Sequence, residues 1–449
     1  MKRSWRWPLA GFLLGGLMGA TFLTVNVVGA SSPNAPPTRV ASFGEILHTP
    51  PLLVRAGKSV ELSFGVVCRV VADEPRRGCN PHGSVFVRGG GEATFRKLPL
   101  EPEPNGLLSA AVPGADTRDG FDYYAAIDDS RGRNAALPEA AGAAPQHVWP
   151  LESWTTIDVG RARFGEARRP SSVVARFGWG RGDDAIGLDS GREQSRIGPS
   201  AFDVAPDGSV VVLDQVNHRL VRLRQGRQPS HIPIDFAGDE GDLAVGADGS
   251  IYVLEVSGKP VVRTFTPAGA PIAAAPLAEP VADMVRVGPA GPLVHAYPSE
   301  MWLPTGRSRP PLARAEQLRA AEPARSVEGG KSVVVHASAG EVKLALVRGD
   351  RVVRAWILRG PTSFGEVQLA EPYGDGLLAV VRLWDEKHAV FRALRLGPAG
   401  LVSSFSVSPG EWAETASLSR FRLHGDTLYQ MRSDRSGVEI ATYEIGGTR

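Results

Sequence analysis

Short apolar runs, each closed by Gly, Pro, Asp or Asn, recur along most of the chain. The clearest set lies between Pro199 and Leu223, P-S-A-F-D-V-A-P-D-G-S-V-V-V-L-D-Q-V-N-H-R-L-V-R-L. Phe202 to Ala205 reads as one strand and Pro206-Asp207-Gly208 as a tight turn in which glycine supplies the positive φ. Ser209 to Leu213 is a Val-rich second strand. After a polar turn, Asp214 to His218, the residues Arg219 to Leu223 alternate apolar and charged positions as a third strand.

The unit returns. Leu243 to Glu255 (L-A-V-G-A-D-G-S-I-Y-V-L-E) aligns with Phe202 to Asp214 without a gap, and Val285 to Tyr297 is a weaker copy with Gly291 in the turn. G-G-K-S-V-V-V-H around Gly330, V-Q-L-A-E-P-Y-G-D-G-L-L-A-V-V around Gly376 and F-R-L-H-G-D-T-L-Y-Q around Gly425 continue the series. The turn glycines 208, 249, 291, 330, 376 and 425 are spaced by 41, 42, 39, 46 and 49 positions. A period of this size with three or four strands per unit predicts propeller blades, and six turns predict six of them. Ser172 to Phe177, in the Gly- and Arg-rich approach to the repeats, is expected to complete the last sheet and close the ring.

Ahead of the repeats, residues 41–151 show a different rhythm. Leu52–Val54, Val60–Val67, Ser84–Arg88, Ala93–Leu98, Leu107–Val112, Phe121–Ile127 and His147–Pro150 are candidate strands at the spacing of a β-sandwich. Cys68 and Cys79, the only two cysteines, fall in this segment. Asp73 to Gly78 would let the chain double back between them. Neither a C-x-x-C spacing nor flanking His pairs support a redox or zinc role, and His82 alone leaves a zinc shell incomplete. The expectation is a structural disulfide, which over so short a loop contributes about 3 kcal/mol.

Residues 1–30 carry Lys2, Arg3 and Arg6, an apolar run from Leu9 to Val28, and Val28-Gly29-Ala30 before Ser31. That is the order of a signal peptide, although the run is long enough to span a bilayer and serve as an N-terminal anchor. No Cys follows it for lipidation, and Arg3 has no adjacent Arg for a twin-arginine route. Residues 31–40 are a Pro-rich linker. Without the first thirty residues, 47 basic residues face 48 acidic ones. A chain so close to neutral gives no electrostatic case for nucleic acid, and membrane contact is expected only through an uncleaved N-terminal segment.

Two resemblances follow. A-A-V-P-G-A-D-T-R-D-G-F-D-Y-Y-A-A-I-D-D-S-R-G resembles a late hairpin of bacterial Ig-like or fibronectin-like domains, with Val112-Pro113, Tyr123-Tyr124 and the turn Asp129 to Gly132. F-G-W-G-R-G-D…P-S-A-F-D-V-A-P-D-G…D-Q-V-N-H-R resembles an NHL-type repeat, whose D-x-x-N-x-R element falls on Asp214, Asn217 and Arg219. It implies an NHL-like propeller over residues 160–449 and gives those three residues a structural role within one blade. The fold expected is all-β, an N-terminal β-sandwich at 41–151 followed by a six-bladed β-propeller.

Chemistry is harder to find. Nine histidines are scattered without H-x-H or H-E-x-x-H spacing, and there is no G-x-S-x-G elbow or phosphate loop. Arg181-Gly182-Asp183 is an adhesive tripeptide that reads more simply as part of a Gly-rich loop. No catalytic residue, metal ligand or cofactor is assigned. Six positions after each turn glycine stand Asp214, Glu255, Tyr297, His336, Arg382 and Met431. Equivalent positions of successive blades form a ring, so the five polar ones are the candidate binding residues at one propeller face. The function expected is that of an exported, non-catalytic binding protein. It would be secreted, periplasmic or on the cell surface, with the sandwich as a spacer and the propeller face docking a protein or polar ligand of the cell envelope. The alternative is a metal-assisted lyase or hydrolase working in the propeller channel.

Overall fold

The computed structural model describes residues between Ile46 and Gly446, apart from short segments of which 306–330 and 68–79 are the longest. Cys68, Cys79, Tyr297, Gly330 and the whole signal-like segment lie outside the described residues.

The N-terminal module has two sheets. One runs Ile46–Leu47, Val60–Val66, Leu108–Val112, Glu101–Pro102; the other runs Leu53–Arg55, Gln146–Leu151, Phe121–Asp128, His82–Gly89, Arg96–Pro99. In Phe121–Asp128 every second side chain is buried, and Phe121, Tyr123, Ala125 and Ile127 meet Leu62, Phe64 and Ala110 of the other sheet in one apolar cluster. His48 is built into that cluster. Its ring stacks on Phe64 at 4.1 Å, its Nδ1–H donates to the Ser63 carbonyl at 2.8 Å, and its Nε2 accepts the Tyr123 hydroxyl at 2.5 Å. Burial pushes the imidazole down to a pKa of about 4, so it is neutral in the folded protein.

Beyond Leu151 the described residues form six sheets with a propeller-like order, each a meander stepping outward from its first strand. Sheet I holds Ala201–Val204, Val210–Asp214, Arg219–Leu223 and Ser230–Pro233; sheet II holds Gly241–Val245, Ile251–Glu255, Val261–Phe265 and Pro271–Pro276. Sheet III holds Ala282–Gly288, Gly291–Ala296 and Met301–Pro304; sheet IV holds Lys331–Ala337, Glu341–Arg348 and Arg351–Arg359. Sheet V holds Ser363–Tyr373, Gly376–Trp384, Ala389–Gly397 and Gly400–Val407; sheet VI holds Phe421–His424, Thr427–Asp434 and Gly437–Glu444. First strands pack together at five junctions, I with II, II with III, IV with V, V with VI, and VI with I.

The Val-rich runs are explained by this stacking. All five residues of Val210–Asp214 are buried, because Val211 and Leu213 face sheet II while Val210 and Val212 face sheet VI. Gly208, at φ +76° in the first hairpin, has the left-handed backbone that its turn requires.

Two strands from before the repeats complete sheets formed later in the chain. Ser172–Trp179 pairs antiparallel with Gly437–Glu444, which is the ring closure expected for the last sheet. Thr155–Asp158 pairs parallel with Arg351–Arg359 of sheet IV, and that was not anticipated. With Ile157 as its one buried residue, it carries too little apolar pattern to be noticed.

One expectation needs correcting. Gly330 is not the hairpin glycine of its repeat. The strand after it, Lys331–Ala337, is the first strand of sheet IV and pairs with Glu341–Arg348, so the hairpin follows Ala337. Each module has its own core, and one further apolar cluster joins them. Val342, Leu344, Leu346, Trp356 and Leu358 of sheet IV face sheet V. On the opposite face Val334, Ala345, Val347 and Ala355 are covered by Leu53, Trp149 and Leu151 of the N-terminal module. That module is docked on the ring.

Candidate binding face

Five of the six ring positions can be placed. Asp214 is fully buried: its Oδ2 accepts from Asn217 Nδ2 at 2.8 Å and Arg219 Nε at 2.9 Å, and its Oδ1 from the Gly187 amide at 2.9 Å. Arg219 also donates to the Gly182 and Ala185 carbonyls at 2.8 and 2.7 Å, and Asn217 to Gly180 at 3.0 Å. The D-x-x-N-x-R element therefore pairs within sheet I, as the repeat pattern implies, and also clasps the loop that leads out of Ser172–Trp179. Arg181-Gly182-Asp183 is the exposed tip of that loop. Glu255 is buried against Arg263 at 3.1 Å. His336 lies on the first strand of sheet IV rather than the second, because the repeat there was aligned on the wrong glycine. Met431 belongs to the apolar cluster between sheets VI and I. Arg382, half-exposed as His336 is, lies beside other charged groups.

At the ring axis sequence reasoning missed a cluster of charges. Asp203 and Asp242, on the first strands of sheets I and II, are completely buried. Arg422 of sheet VI contacts both, at 3.3 Å to Asp203 and 3.7 Å to Asp242. Arg286 of sheet III reaches Asp242 at 3.0 Å, and the Ser419 hydroxyl donates to Asp242 at 2.5 Å. Each carboxylate also accepts a backbone amide from the next sheet, Asp203 from Val245 at 2.8 Å and Asp242 from Val285 at 2.9 Å. Two acids and two bases neutralise one another while tying four sheets together. The signal in the sequence was a single Asp in an otherwise apolar strand, A-F-D-V-A and G-D-L-A-V.

Arg382 belongs to a second cluster, between sheets V and VI at the end where first strands begin and second strands finish. Arg382 and Trp384 share one face of their strand with Leu378 and Val380, which pack against sheet VI. The Arg382 guanidinium donates to Glu366 at 3.1 Å and to Glu411 at 3.3 Å, and Glu411 accepts from Arg420 at 3.0 Å. Burial pushes the Arg420 guanidinium down from its ordinary value, and Glu411 and Glu366 oppose that. Gln368 donates weakly to Glu366 at 3.4 Å, while its carbonyl oxygen is buried with no hydrogen-bond partner among the described residues. Trp384 leaves 41% of its surface exposed, with its indole N–H on the Phe364 carbonyl at 3.1 Å. Gly365 lies beneath both side chains. A Cβ there would sit 3.3 Å from Arg382 and 3.4 Å from Trp384, so glycine lets the two side chains pack closely across the strand.

Arg420 also lines a shallow neighbouring pocket with Pro199, Ala413, Met431 and Arg432. Beyond it the Trp412 ring packs on Trp179 at 5.7 Å and carries the Arg196 guanidinium at 4.5 Å. Among the described residues no three His, Cys, Asp or Glu side chains converge as a metal site.

No family model matches the chain, and no curated protein matches it. Among solved structures it is similar to a protein of unknown function from Bacteroides thetaiotaomicron, at 12% identity over 92% of this chain and 99% of that one, with a TM-score of 0.35. An auxiliary nutrient binding protein from the same organism is 12% identical over 90% of this chain and 100% of its own, with a TM-score of 0.32. Virginiamycin B lyase from Staphylococcus aureus is 7% identical over 76% and 93%, with a TM-score of 0.22. Scores this low assign neither a family nor an activity.

Proposed function

We propose that the chain is an exported binding protein on an NHL-like six-bladed propeller, and that its docking surface is the face where first strands begin. The observation that carries this reading is the cleft between sheets V and VI. There Glu366, Arg382 and Glu411 stay in contact with water beside an exposed tryptophan. Large aromatic and Arg side chains that remain accessible on a rigid sheet are the usual anchors of recognition. The axis charges, by contrast, are buried and engaged with one another.

Of the sequence-derived ring, Arg382 is taken forward, and Glu411, Arg420 and Trp384 replace its more distant members. Hydrogen exchange of the mature protein, with and without a solubilised envelope fraction, tests the surface. Protection centred on Arg382 and Arg420 is expected. Protection that avoids both, or a stoichiometric transition metal in the purified protein, overturns it in favour of another face or of metal-assisted catalysis. Export follows from the basic, apolar and small-residue order of residues 1–30. N-terminal sequencing should find Ser31 first; Met1 retained in the membrane fraction would show an anchor.

A further inference from the structure

We infer that the cleft between sheets V and VI takes a neutral saccharide, with one sugar ring laid on Trp384 and its hydroxyls on Arg382, Glu366 and Glu411. The inference rests on the reading of this face as a binding surface and adds the ligand class.

Charge decides between ionic and neutral ligands. Glu366, Arg382, Glu411 and Arg420 alternate in sign along a chain of contacts from 3.0 to 3.3 Å, two of each. An anionic or cationic ligand would have to compete with one of these partners and leave the displaced charge uncompensated, which is costly in a partly desolvated site. A hydroxyl does not face that conflict. It donates to a carboxylate lone pair and accepts from a guanidinium N–H, so vicinal hydroxyls can bridge an Arg–Glu pair without separating it.

Shape points the same way. Trp384 is among the few large apolar side chains left exposed, and it is held at the cleft wall by its bond to Phe364. A pyranose ring presents an apolar C–H face to such a π-surface and polar edges around it, so it matches Trp384 in the middle and the charged groups at the sides. Gly365 lets Arg382 and Trp384 pack side by side across its backbone, which holds the two groups together.

The mature protein should be titrated with maltohexaose, cellohexaose and chitohexaose, followed by tryptophan fluorescence and calorimetry. Hexagalacturonate and a glucosamine hexamer serve as the anionic and cationic counterparts. At least one neutral oligosaccharide should bind, and Trp384→Ala and Arg382→Ala should each weaken it by about tenfold or more with Tm unchanged. The inference is overturned if none of the three binds at about 10 mM, if a charged oligomer binds more tightly, or if Trp384→Ala leaves the Kd unaltered. Failure here with exchange protection still centred on Arg382 and Arg420 would keep the docking face and discard the saccharide. Failure of both would discard the face itself.

Discussion

The ring contains two clusters of identical charge composition, and they sit in different surroundings. At the axis Asp203, Asp242, Arg286 and Arg422 are at most 9% exposed at the side chain. Between sheets V and VI, Arg420 is equally buried, but Glu411, Arg382 and Glu366 are exposed by 25, 29 and 38%. Two arginines and two carboxylates can therefore be a structural tie in one place and a recognition surface in another. What separates them is the number of partners per oxygen: each axis carboxylate also holds a backbone amide of a neighbouring sheet. Losing an axis charge strands buried groups, whereas losing a cleft charge mostly returns its partners to water.

The largest effect should come from the axis. Asp242→Ala leaves Arg286 and Ser419 without their shared acceptor and the Val285 amide without a partner. Denaturant unfolding should show a loss of about 3–5 kcal/mol. A loss below about 1 kcal/mol would mean that water reaches the axis and the comparison fails.

The docking of the N-terminal module comes next. Trp149→Ala opens the contact between that module and sheet IV, where Trp149 is 4% exposed. A loss of about 3 kcal/mol is expected for so large a truncation. Calorimetry should then resolve the module melting ahead of the ring. Val347→Asp, made from the sheet IV side, should separate the transitions in the same way. One unaltered transition in both variants would show that the apolar contact does not couple the modules.

A buried group that must stay neutral gives a third, pH-dependent effect. The folded-state pKa of His48 is lowered to about 4 from 6.5, so the unfolded chain takes up a proton first as pH falls. Stability from this source is complete above pH 6.5, declines between 6.5 and 4, and is flat below. The total is about 3 kcal/mol from the shift alone. Melting curves of the wild type should steepen across that window relative to His48→Gln; parallel profiles would count against the buried imidazole.

Much of the fold was legible because the hairpin glycines 208, 249, 291, 376 and 425 each join the first two strands of a sheet. The exception is instructive. G-G-K-S-V-V-V-H repeats the glycine, serine and valine run of D-G-S-V-V-V, so Gly330 looks like a hairpin although its valines form a first strand. The binding cleft was visible only through Arg382. Glu366 stands sixteen positions before it, and Glu411 and Arg420 belong to the approach to sheet VI, so no local spacing joins them. Asp203 and Asp242 were visible as lone acids in apolar strands, but their partners come from sheets III and VI. Sequence periodicity reports which strands form and says little about which charges meet where sheets converge.

The smallest effect is the one that most sharpens the contrast. Arg382→Ala should cost less than about 1 kcal/mol, because its contacts to Glu366 and Glu411 are water-accessible and partly redundant. A double-mutant cycle of Arg382→Ala with Glu411→Gln should give a coupling of about 0.5 kcal/mol that shrinks as salt rises from about 0.05 to 1 M, where the screening length falls to roughly 3 Å. The corresponding cycle of Asp242 with Arg286 should give several-fold more coupling and little salt dependence, since that pair is screened by protein rather than by ions. If the cleft pair proved as strongly coupled and as insensitive to salt as the axis pair, Arg382 would be a structural tie. The contrast between the two clusters would then be lost.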